Sequence, residues 1–201
     1  MAEEQLRLLK RALRKKGMIR THEAEDLGIE RSSLSRLVNA GSLLRIERGL
    51  YTLPEAIHGQ HHSLAIVSKR VPQGIICLIS ALAFHEMTTE IPRETWLALP
   101  PHSHPPQIGY PSLAIVYISE PSASHGVETH HVDKVPVRIT NPARTVADCF
   151  KFRNKVGIDV ALSALKDYWH NKLGTLVELR QATDICRVTR VVQPYLEAII
   201  S

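Results

Sequence analysis

Apolar side chains recur at helical spacing near the start of the chain. Leu6, Leu9 and Leu13 stand at positions i, i+3 and i+7, and most of the residues between them are Arg or Lys. This alternation predicts an amphipathic helix over residues 3–16 that ends at Gly17. The Met-Ile-Arg sequence that follows can add a short strand.

A second pattern, at residues 21–41, predicts two short helices joined by a tight turn. Thr21 is predicted to cap the first helix, and Gly28 gives the turn its backbone freedom. The second helix begins between residues 30 and 32 and ends at Gly41, which serves as a left-handed cap. Its apolar stripe, which must face the first helix, consists of Leu34, Leu37 and Val38.

Two short alternating strands are predicted after the second helix. They cover residues 43–46 and 50–53, and the turn between them carries Arg48 at its tip. Such a hairpin is the wing of a winged helix-turn-helix. Residues 1–54 are therefore predicted to form a winged helix-turn-helix DNA-binding domain, followed by a polar linker over residues 55–60.

The face of the second helix opposite its apolar stripe is rich in hydrogen-bonding side chains. Arg pairs with guanine edges or phosphates, Asn with adenine, and Ser with either a base or a phosphate. Arginines on a wing are expected to meet phosphates. The alternative is a helix-turn-helix that serves only for packing or protein docking. The predicted DNA-binding residues are Thr21, Arg31, Ser32, Ser33, Ser35, Arg36, Asn39, Arg45 and Arg48.

Beyond residue 60 the pattern alternates between short apolar strands and amphipathic helices. The predicted strands cover residues 74–79, 95–99, 113–118, 127–132 and 135–140. The predicted helices cover residues 63–71, or begin near Ser80, Asn141, Ile158, Thr175 and Val188. The predicted fold class is therefore α+β, in which the winged helix is followed by a mixed α/β C-terminal domain over residues 61–201.

Charge and cysteine content narrow the class of partner and the compartment. The 201 residues carry a formal net charge of +5, which favours a polyanionic partner. The three cysteines are far apart in apolar surroundings, which is typical of buried reduced thiols. No signal-peptide pattern and no apolar run of membrane-spanning length is present. We therefore expect a cytoplasmic protein that binds double-stranded DNA and does not enter a membrane.

Motifs of metal-dependent enzymes are missing from the sequence. A nuclease would need Asp/Glu-x-Lys and a nucleotidyltransferase Asp-x-Asp or Asp-x-Glu, and neither occurs. The eleven histidines raise a zinc hypothesis, but they lie beside no cysteine pair. We therefore expect no catalytic residues, no metal site and no cofactor. The histidine groups in question are His58, His61 and His62, and His102, His104, His130 and His131.

Several segments resemble the AbiEi family of antitoxins, the transcription regulators of type IV toxin–antitoxin systems. The most specific are Arg-Gly-x-Tyr in the wing and Asn-Pro-Ala-Arg-Thr-x-x-Asp-Cys-Phe from Asn141, with residues 77–87 and 191–199 in the expected order. The resemblance implies an autorepressor that binds repeats in its own promoter. It also implies a C-terminal domain that counters a nucleotidyltransferase toxin without binding it stably.

Two copies are expected on such a repeat, because one winged helix covers little DNA surface. The candidate antitoxin surface consists of Lys151, Arg153 and Lys155, for which a solvated helix face is the alternative. For the whole protein, two other hypotheses stay open. One is a ligand-responsive winged-helix regulator without a toxin partner, and the other is a metal-dependent enzyme anchored to DNA.

Overall fold

The computed structural model describes residues 3–56 and 59–200 of the chain. These residues form a mixed α+β structure, as predicted, and the chain divides into two compact units. The first unit comprises Met1–Arg70, Gln107–Pro111 and His131–Val137, and the second comprises Val71–Pro106, Ser112–His130 and Arg138–Ser201.

The first unit combines helices with a three-stranded antiparallel sheet. Its elements are α1 (Glu3–Lys16), β1 (Met18–Arg20), α2 (Thr21–Glu25), α3 (Arg31–Asn39), β2 (Leu44–Glu47), β3 (Leu50–Thr52), a 3₁₀ turn (Pro54–Ala56) and α4 (His62–Arg70). Strand β3 lies in the middle of the sheet, between β1 and β2. The predicted helix over residues 3–16 and the predicted hairpin are both confirmed.

One apolar cluster holds helices α1 and α3 together. Leu9 and Leu13 of α1 pack with Leu34 of α3 and with Ile19 and Ile29. Each of these side chains is at most 1% exposed, so the cluster is a closed core. Burial of this kind, and not helix propensity, stabilises helices as short as α3.

A second apolar cluster joins α4 to the sheet. Ala65 and Ile66 of α4 pack with Met18 of β1, Leu50 of β3 and Val135. Helix α4 therefore belongs to the same compact unit as the strands that it covers.

The domain limits predicted from the sequence follow a different division. They assign residues 1–54 to a DNA-binding domain, 55–60 to a linker and 61–201 to a C-terminal domain, so they separate α4 from its packing partners. Those limits describe which segments fold independently, and they stay a prediction. Ile57 and His58, in the predicted linker, lie outside the described residues.

Helix α2 has only five residues, and one carboxylate organises its start. Glu23 accepts the backbone N–H of Arg20 at 2.8 Å and forms ion pairs with Lys16 and Lys69 at 2.9 and 2.8 Å. In a capping box the Glu side chain bonds the N-cap residue three positions earlier. The N-cap is therefore Arg20, and the prediction that Thr21 caps this helix is wrong because Thr21 is its first helical residue.

The second unit contains most of a five-stranded sheet and the helices that pack on it. The sheet order is β6-β5-β4-β8-β7, with β4–β5 antiparallel and with β4–β8 and β5–β6 parallel. The strands are β4 (Ile75–Ile76), β5 (Thr95–Leu99), β6 (Leu113–Tyr117), β7 (Val127–Val132) and β8 (Val135–Thr140). The helices are α5 (Leu78–Phe84), α6 (Pro142–Lys151), α7 (Arg153–Val156), α8 (Ile158–His170), α9 (Leu176–Cys186) and α10 (Thr189–Ile200).

The strand predicted at residues 74–79 is shorter than expected, and the helix predicted from Ser80 begins earlier. Strand β4 covers only Ile75–Ile76, because Cys77 is already the N-cap of α5. The Ser80 hydroxyl accepts the backbone N–H of Trp96 at 2.9 Å. Ser80 therefore links α5 to β5 and does not start the helix.

Helix α6 carries a buried ion pair. Arg144 Nε donates to Asp148 Oδ1 at 2.9 Å, and the two side chains are 1% and 0% exposed. The Arg144 guanidinium also donates to the carbonyl oxygens of Ser122 and His125. Loss of either charge would leave the other buried and uncompensated, so this pair fastens the preceding loop to α6.

The three cysteines are buried and free, as predicted. Burial raises the pKa of the Cys186 thiol to about 12. It also raises the pKa of Cys77 and of Cys149 above the ordinary thiol value. All three thiols therefore stay protonated at neutral pH, which makes them poor nucleophiles and poor metal ligands.

Replacing Glu23 by Gln should make the stability of the first unit less dependent on pH. Burial raises the pKa of Glu23, but hydrogen bonds from Lys69, Arg20 and Lys16 outweigh it and lower the pKa from 4.5 to about 2. A carboxylate with a lowered pKa stabilises the folded state above its unfolded pKa, and this contribution is lost as the pH falls toward its folded pKa. At pH 6 we expect Glu23→Gln to lower the free energy of unfolding by about 1–3 kcal/mol.

Urea unfolding of both proteins between pH 6 and pH 2 checks this expectation. The difference between them should shrink from about pH 4.5 downward and vanish near pH 2. Glu25→Gln on the same helix is the control, because its exposed pair with Arg31 should contribute less than about 1 kcal/mol. A difference that stays constant with pH would contradict the role given to Glu23.

Candidate nucleic-acid interface

The turn before α3 and the cap after it set the length and direction of this helix. Gly28 has φ +75°, a conformation that L side chains rarely adopt, and the buried Ile29 follows it. Glu30 is extended and serves as the N-cap of α3. At the other end, Gly41 has φ +69° and its N–H donates to the carbonyl of Val38 at 3.0 Å.

The face of α3 that points away from the core carries most of the predicted DNA-binding residues. The exposed residues of this helix are Arg31, Ser32, Ser35, Arg36 and Asn39. Leu34 is fully buried on the opposite face, and Leu37 and Val38 are partly buried against the same core. The predicted division of α3 into an apolar and a polar face is confirmed.

Ser33 departs from the prediction, because it is only 7% exposed. It lies four residues before Leu37 and therefore on the same side of the helix as the apolar stripe. Its hydroxyl accepts a hydrogen bond from the Arg36 guanidinium at 3.0 Å. Ser33 can thus orient Arg36, but its burial removes it from the surface that could touch a base.

Two side chains at the start of α3 are bonded to carboxylates of the same unit. Arg31 Nε pairs with Glu25 at 2.7 Å, and the Ser32 hydroxyl donates to Glu30 at 3.1 Å. Both pairs are exposed, so neither fixes its side chain strongly. A phosphate at this end of the helix could replace either carboxylate as the acceptor.

The hairpin of β2 and β3 presents the two predicted wing arginines. Arg45 and Arg48 are both exposed, and the turn between the strands is completed by Gly49 with φ +77°. Thr21 lies beside this turn, since its N–H donates to the carbonyl of Gly49 at 3.0 Å. Thr21 therefore ties the start of α2 to the wing.

The acidic residue of the wing is neutralised from within the first unit. Glu47 forms an ion pair with Arg70 of α4 at 3.2 Å and accepts the backbone N–H of Gly109 at 2.8 Å. Its side chain is only 11% exposed. The charge that the wing offers to solvent is therefore that of Arg45 and Arg48. The pairing with Arg70 was not predicted, because the two residues are far apart in the sequence and no local pattern joins them.

The candidate antitoxin surface lies at the junction of α6 and α7. Lys151 and Lys155 are exposed, and the Lys151 ammonium lies 5.9 Å from the centre of the Phe152 ring. Arg153 is half-buried and donates to the carbonyl of Phe150 at 2.9 Å. Two of the three predicted cations are thus exposed to a partner, while Arg153 is half-buried and has a structural bond.

The histidines considered as zinc ligands do not form a zinc site in the described part of the chain. His62 pairs with Asp133 at 2.5 Å and His130 with Glu128 at 3.0 Å. Among the described residues, no three His, Cys, Asp or Glu side chains are placed to hold a metal ion. His58 lies outside those residues. Within the same described ranges, no helix combines the length and apolar character needed to cross a membrane.

Comparison with known proteins gives a family match over the N-terminal segment and a likeness in fold to solved structures. Residues 6–54, which run from α1 to the end of the wing, match the family described as "Transcriptional regulator, AbiEi antitoxin". No curated protein sequence matches the chain.

The fold is similar to the crystal structure of the RV2827C protein from Mycobacterium tuberculosis, with a TM-score of 0.64 and 12% sequence identity. The likeness covers 98% of this chain and 78% of that one. At this identity it concerns the fold alone. The family match over residues 6–54 confirms the resemblance of this segment to the AbiEi antitoxin transcriptional regulators.

Proposed function

We propose that this protein is a DNA-binding transcriptional autorepressor and the antitoxin of a type IV toxin–antitoxin system. The observation that carries the proposal is the exposed polar face of α3, held outward by the buried Leu34, in a segment that matches AbiEi regulators. The first unit then acts as a winged helix-turn-helix. Its ligand is double-stranded DNA, and its targets are operator repeats in its own promoter.

In the proposed complex, α3 lies in the major groove and the wing follows the adjacent backbone. Arg36 and Asn39 project from the exposed face and read base edges, since Arg suits guanine and Asn suits adenine. Ser33 acts indirectly by orienting Arg36. Arg45 and Arg48 bind phosphates, where their contribution is electrostatic and independent of sequence.

The N-terminal end of α3 and the start of α2 have supporting roles in this proposal. Arg31 and Ser32 exchange their carboxylate partners for phosphates. Ser35 is exposed, and its hydroxyl donates to the Arg31 carbonyl at 3.2 Å, which leaves its lone pairs for a DNA donor or water. Thr21 holds the wing turn close to the helices.

The antitoxin role is assigned to the second unit, with a nucleotidyltransferase toxin as a functional partner that is not stably bound. The exposed Lys151 and Lys155 are the candidate residues, with Arg153 between them in the sequence. We propose no catalytic residue, metal or cofactor for either role. The protein would act in the cytoplasm, where both the promoter and the toxin are found.

A second candidate function is a ligand-responsive regulator without a toxin partner. It is favoured by a groove of about 610 Å³ between α9 and α10, a size that suits small molecules. Its lining combines apolar side chains, including Leu179, Val192 and Leu196, with polar and charged ones such as Arg180 and Asp184. A small molecule that changed the affinity for DNA would support this candidate, and a nucleotidyltransferase encoded beside this protein would support the first.

Alanine at Arg36 or Asn39 should weaken binding to the operator and relax sequence preference, whereas alanine at Arg48 should weaken binding to all DNA alike. We expect Arg36→Ala to cost about 1–3 kcal/mol on the specific operator. Arg48→Ala should instead reduce the dependence of affinity on salt by about one phosphate contact. The measurement is fluorescence anisotropy on the promoter fragment and on a scrambled duplex at several salt concentrations.

Arg93→Ala is the matched control, because Arg93 is exposed and belongs to the second unit, to which no DNA contact is assigned. It should leave both the affinity and the salt dependence unchanged. If Arg36→Ala bound the operator as tightly as the parent protein, the assignment of α3 as the recognition helix would be wrong.

Reversing the charge of Lys151 and Lys155 together should abolish protection against the toxin and leave operator binding intact. Arg153 is kept in this variant because replacing it would remove both its charge and its hydrogen bond to the Phe150 carbonyl. The two effects could then not be separated. The assay is growth on co-expression with the proposed nucleotidyltransferase toxin, with a thermal melt to confirm folding.

The matched control reverses two other exposed lysines of the same unit, Lys166 and Lys172. This variant has the same net charge and should still protect the cell. Protection that survived reversal of Lys151 and Lys155 would remove the candidate surface, while the DNA-binding role would stand.

A further inference from the structure

Helix α1 carries more positive charge than its own stability requires. Residues 5–16 include six Arg or Lys side chains and no carboxylate. Arg11, Arg14 and Lys15 are exposed, and in the described part of the chain no carboxylate pairs with them. The negative end of the helix dipole favours Arg14 and Lys15, which lie in the last turn. It does not account for Arg11, whose charge at i, i+4 from Lys15 is repulsive.

A cation from a distant part of the sequence joins this end of α1. Lys134, in the turn between β7 and β8, is exposed, and its Nζ donates to the Arg14 carbonyl at 2.8 Å. The turn can approach so closely because residue 17 is glycine, with φ +73°. A side chain at Gly17 would collide with the carbonyl oxygen of Asp133. The fold therefore holds Lys134 beside the cations of α1.

The carboxylates next to these cations are bound elsewhere. Asp133, which precedes Lys134, pairs with His62 at 2.5 Å, and its side chain is 15% exposed. Glu23 pairs with Lys16 at 2.9 Å and is 17% exposed. Neither carboxylate therefore offsets the exposed positive charge. This group of cations, named the α1 surface below, consists of Arg11, Arg14, Lys15 and Lys134.

The α1 surface and the exposed face of α3 lie on different sides of the first unit. Arg11 is two residues from both Leu9 and Leu13, so at about 100° per residue it projects from the side of α1 opposite the core. Arg36 has the same relation to Leu34 of α3. The three leucines pack in one cluster, so both exposed faces are turned away from a common core. A duplex that holds α3 in its major groove therefore does not extend to the α1 surface.

We propose that the α1 surface binds the phosphate backbone of a second DNA duplex, separate from the one that α3 reads. An exposed group of unpaired cations is complementary to a polyanion. Each strand of a duplex presents a phosphate about every 3.4 Å along the axis. The helical rise places Arg11 and Arg14 about 4.5 Å apart along α1, so both side chains can bind one strand at once. Such contacts are independent of the base sequence.

An anionic membrane fits the α1 surface less well than DNA does. An amphipathic helix binds a membrane by inserting its apolar face among the lipids. Leu9 and Leu13, on the apolar face of α1, are 0% and 1% exposed because they form part of the protein core. That face is therefore not available for insertion, whereas the cations on the other face are open to a polyanion that stays outside the protein.

A protein with two such surfaces joins two segments of DNA. A chain bound to one operator repeat would then hold a flanking or distant segment close to it. The choice of DNA as the polyanion rests on the proposed function, because α1 belongs to the same unit as the proposed helix-turn-helix. The α1 surface is therefore measured first without the α3 interface, so that failure of one proposal is distinguishable from failure of the other.

Fluorescence anisotropy on a duplex of unrelated sequence, at several salt concentrations, measures the α1 surface alone. The full chain carries three substitutions that disable the other interface, Arg36→Ala, Arg45→Ala and Arg48→Ala. Into this background the α1 variant adds Arg11→Gln, Arg14→Gln and Lys15→Gln, which remove charge and keep helix propensity. Lys134 is kept because of its bond to α1. We expect the α1 variant to bind at least about tenfold more weakly, with a salt slope lower by about 2 to 3.

The matched control removes the same charge from exposed residues of the second unit, through Lys166→Gln, Lys172→Gln and Arg190→Gln. It should bind the duplex like the background protein. Equal affinities of the α1 variant and the matched control would overturn the proposal. Tighter binding of the background protein to phosphatidylserine vesicles than to the duplex would overturn the assignment to DNA.

Lysine acetylation read by mass spectrometry covers the case in which the α1 variant fails to fold. In the background protein, the unrelated duplex should protect Lys15 and Lys134 and leave Lys166 and Lys172 reactive. Full reactivity of Lys15 and Lys134 in the presence of the duplex would overturn the proposal.

Capture of a second duplex tests whether the two surfaces act separately. The parent protein, bound to an immobilised promoter fragment, should take up a labelled duplex of unrelated sequence. The α1 substitutions in the parent chain should preserve promoter binding and lose this uptake. No uptake by the bound parent protein, or equal uptake by the α1 variant, would contradict a second duplex site. If the parent protein did not bind the promoter, the proposed function would fail while the anisotropy result would still decide the α1 surface.

Discussion

Burial of Leu34 against α1 is the constraint on which the proposed interface depends. Helix α3 has nine residues and would not be stable alone, so its orientation is decided by the side chains that it buries. Because Leu34 is buried beside Leu9 and Leu13, the opposite face of α3 points toward solvent. Arg36 and Asn39 are exposed for this reason and not because of their own polarity.

Ion pairs with neighbouring elements then determine the charge of the surface formed by α2, α3 and the wing. Helix α4 contributes Lys69 to Glu23 and Arg70 to Glu47, and both carboxylates are largely buried by these contacts. Two negative charges are thereby neutralised near α2 and the wing. The same pairs brace α2 and the wing, so positioning and electrostatics come from one set of contacts.

Local patterns predicted the elements of the first unit well, because its helices and hairpin are amphipathic with clear periods. They failed where the deciding partner lies far away in the sequence. In the sequence, nothing distinguishes Ser33 from the exposed serines beside it, because its burial depends on residues of other elements. The pairing of Glu47 with Arg70, the burial of Arg144 with Asp148 and the place of β6 at the end of its sheet all depend on tertiary packing or strand order. No short window of sequence contains that information.

The central claim is that α3 and the wing form the surface that meets DNA. The most direct measurement is a titration of isotope-labelled full-length protein with DNA from immediately upstream of its own reading frame, followed by backbone NMR. The account predicts that the largest shifts occur at Arg31–Asn39 and at the turn around Arg48. Large shifts confined to residues of the second unit, with those of α3 unchanged, would contradict it.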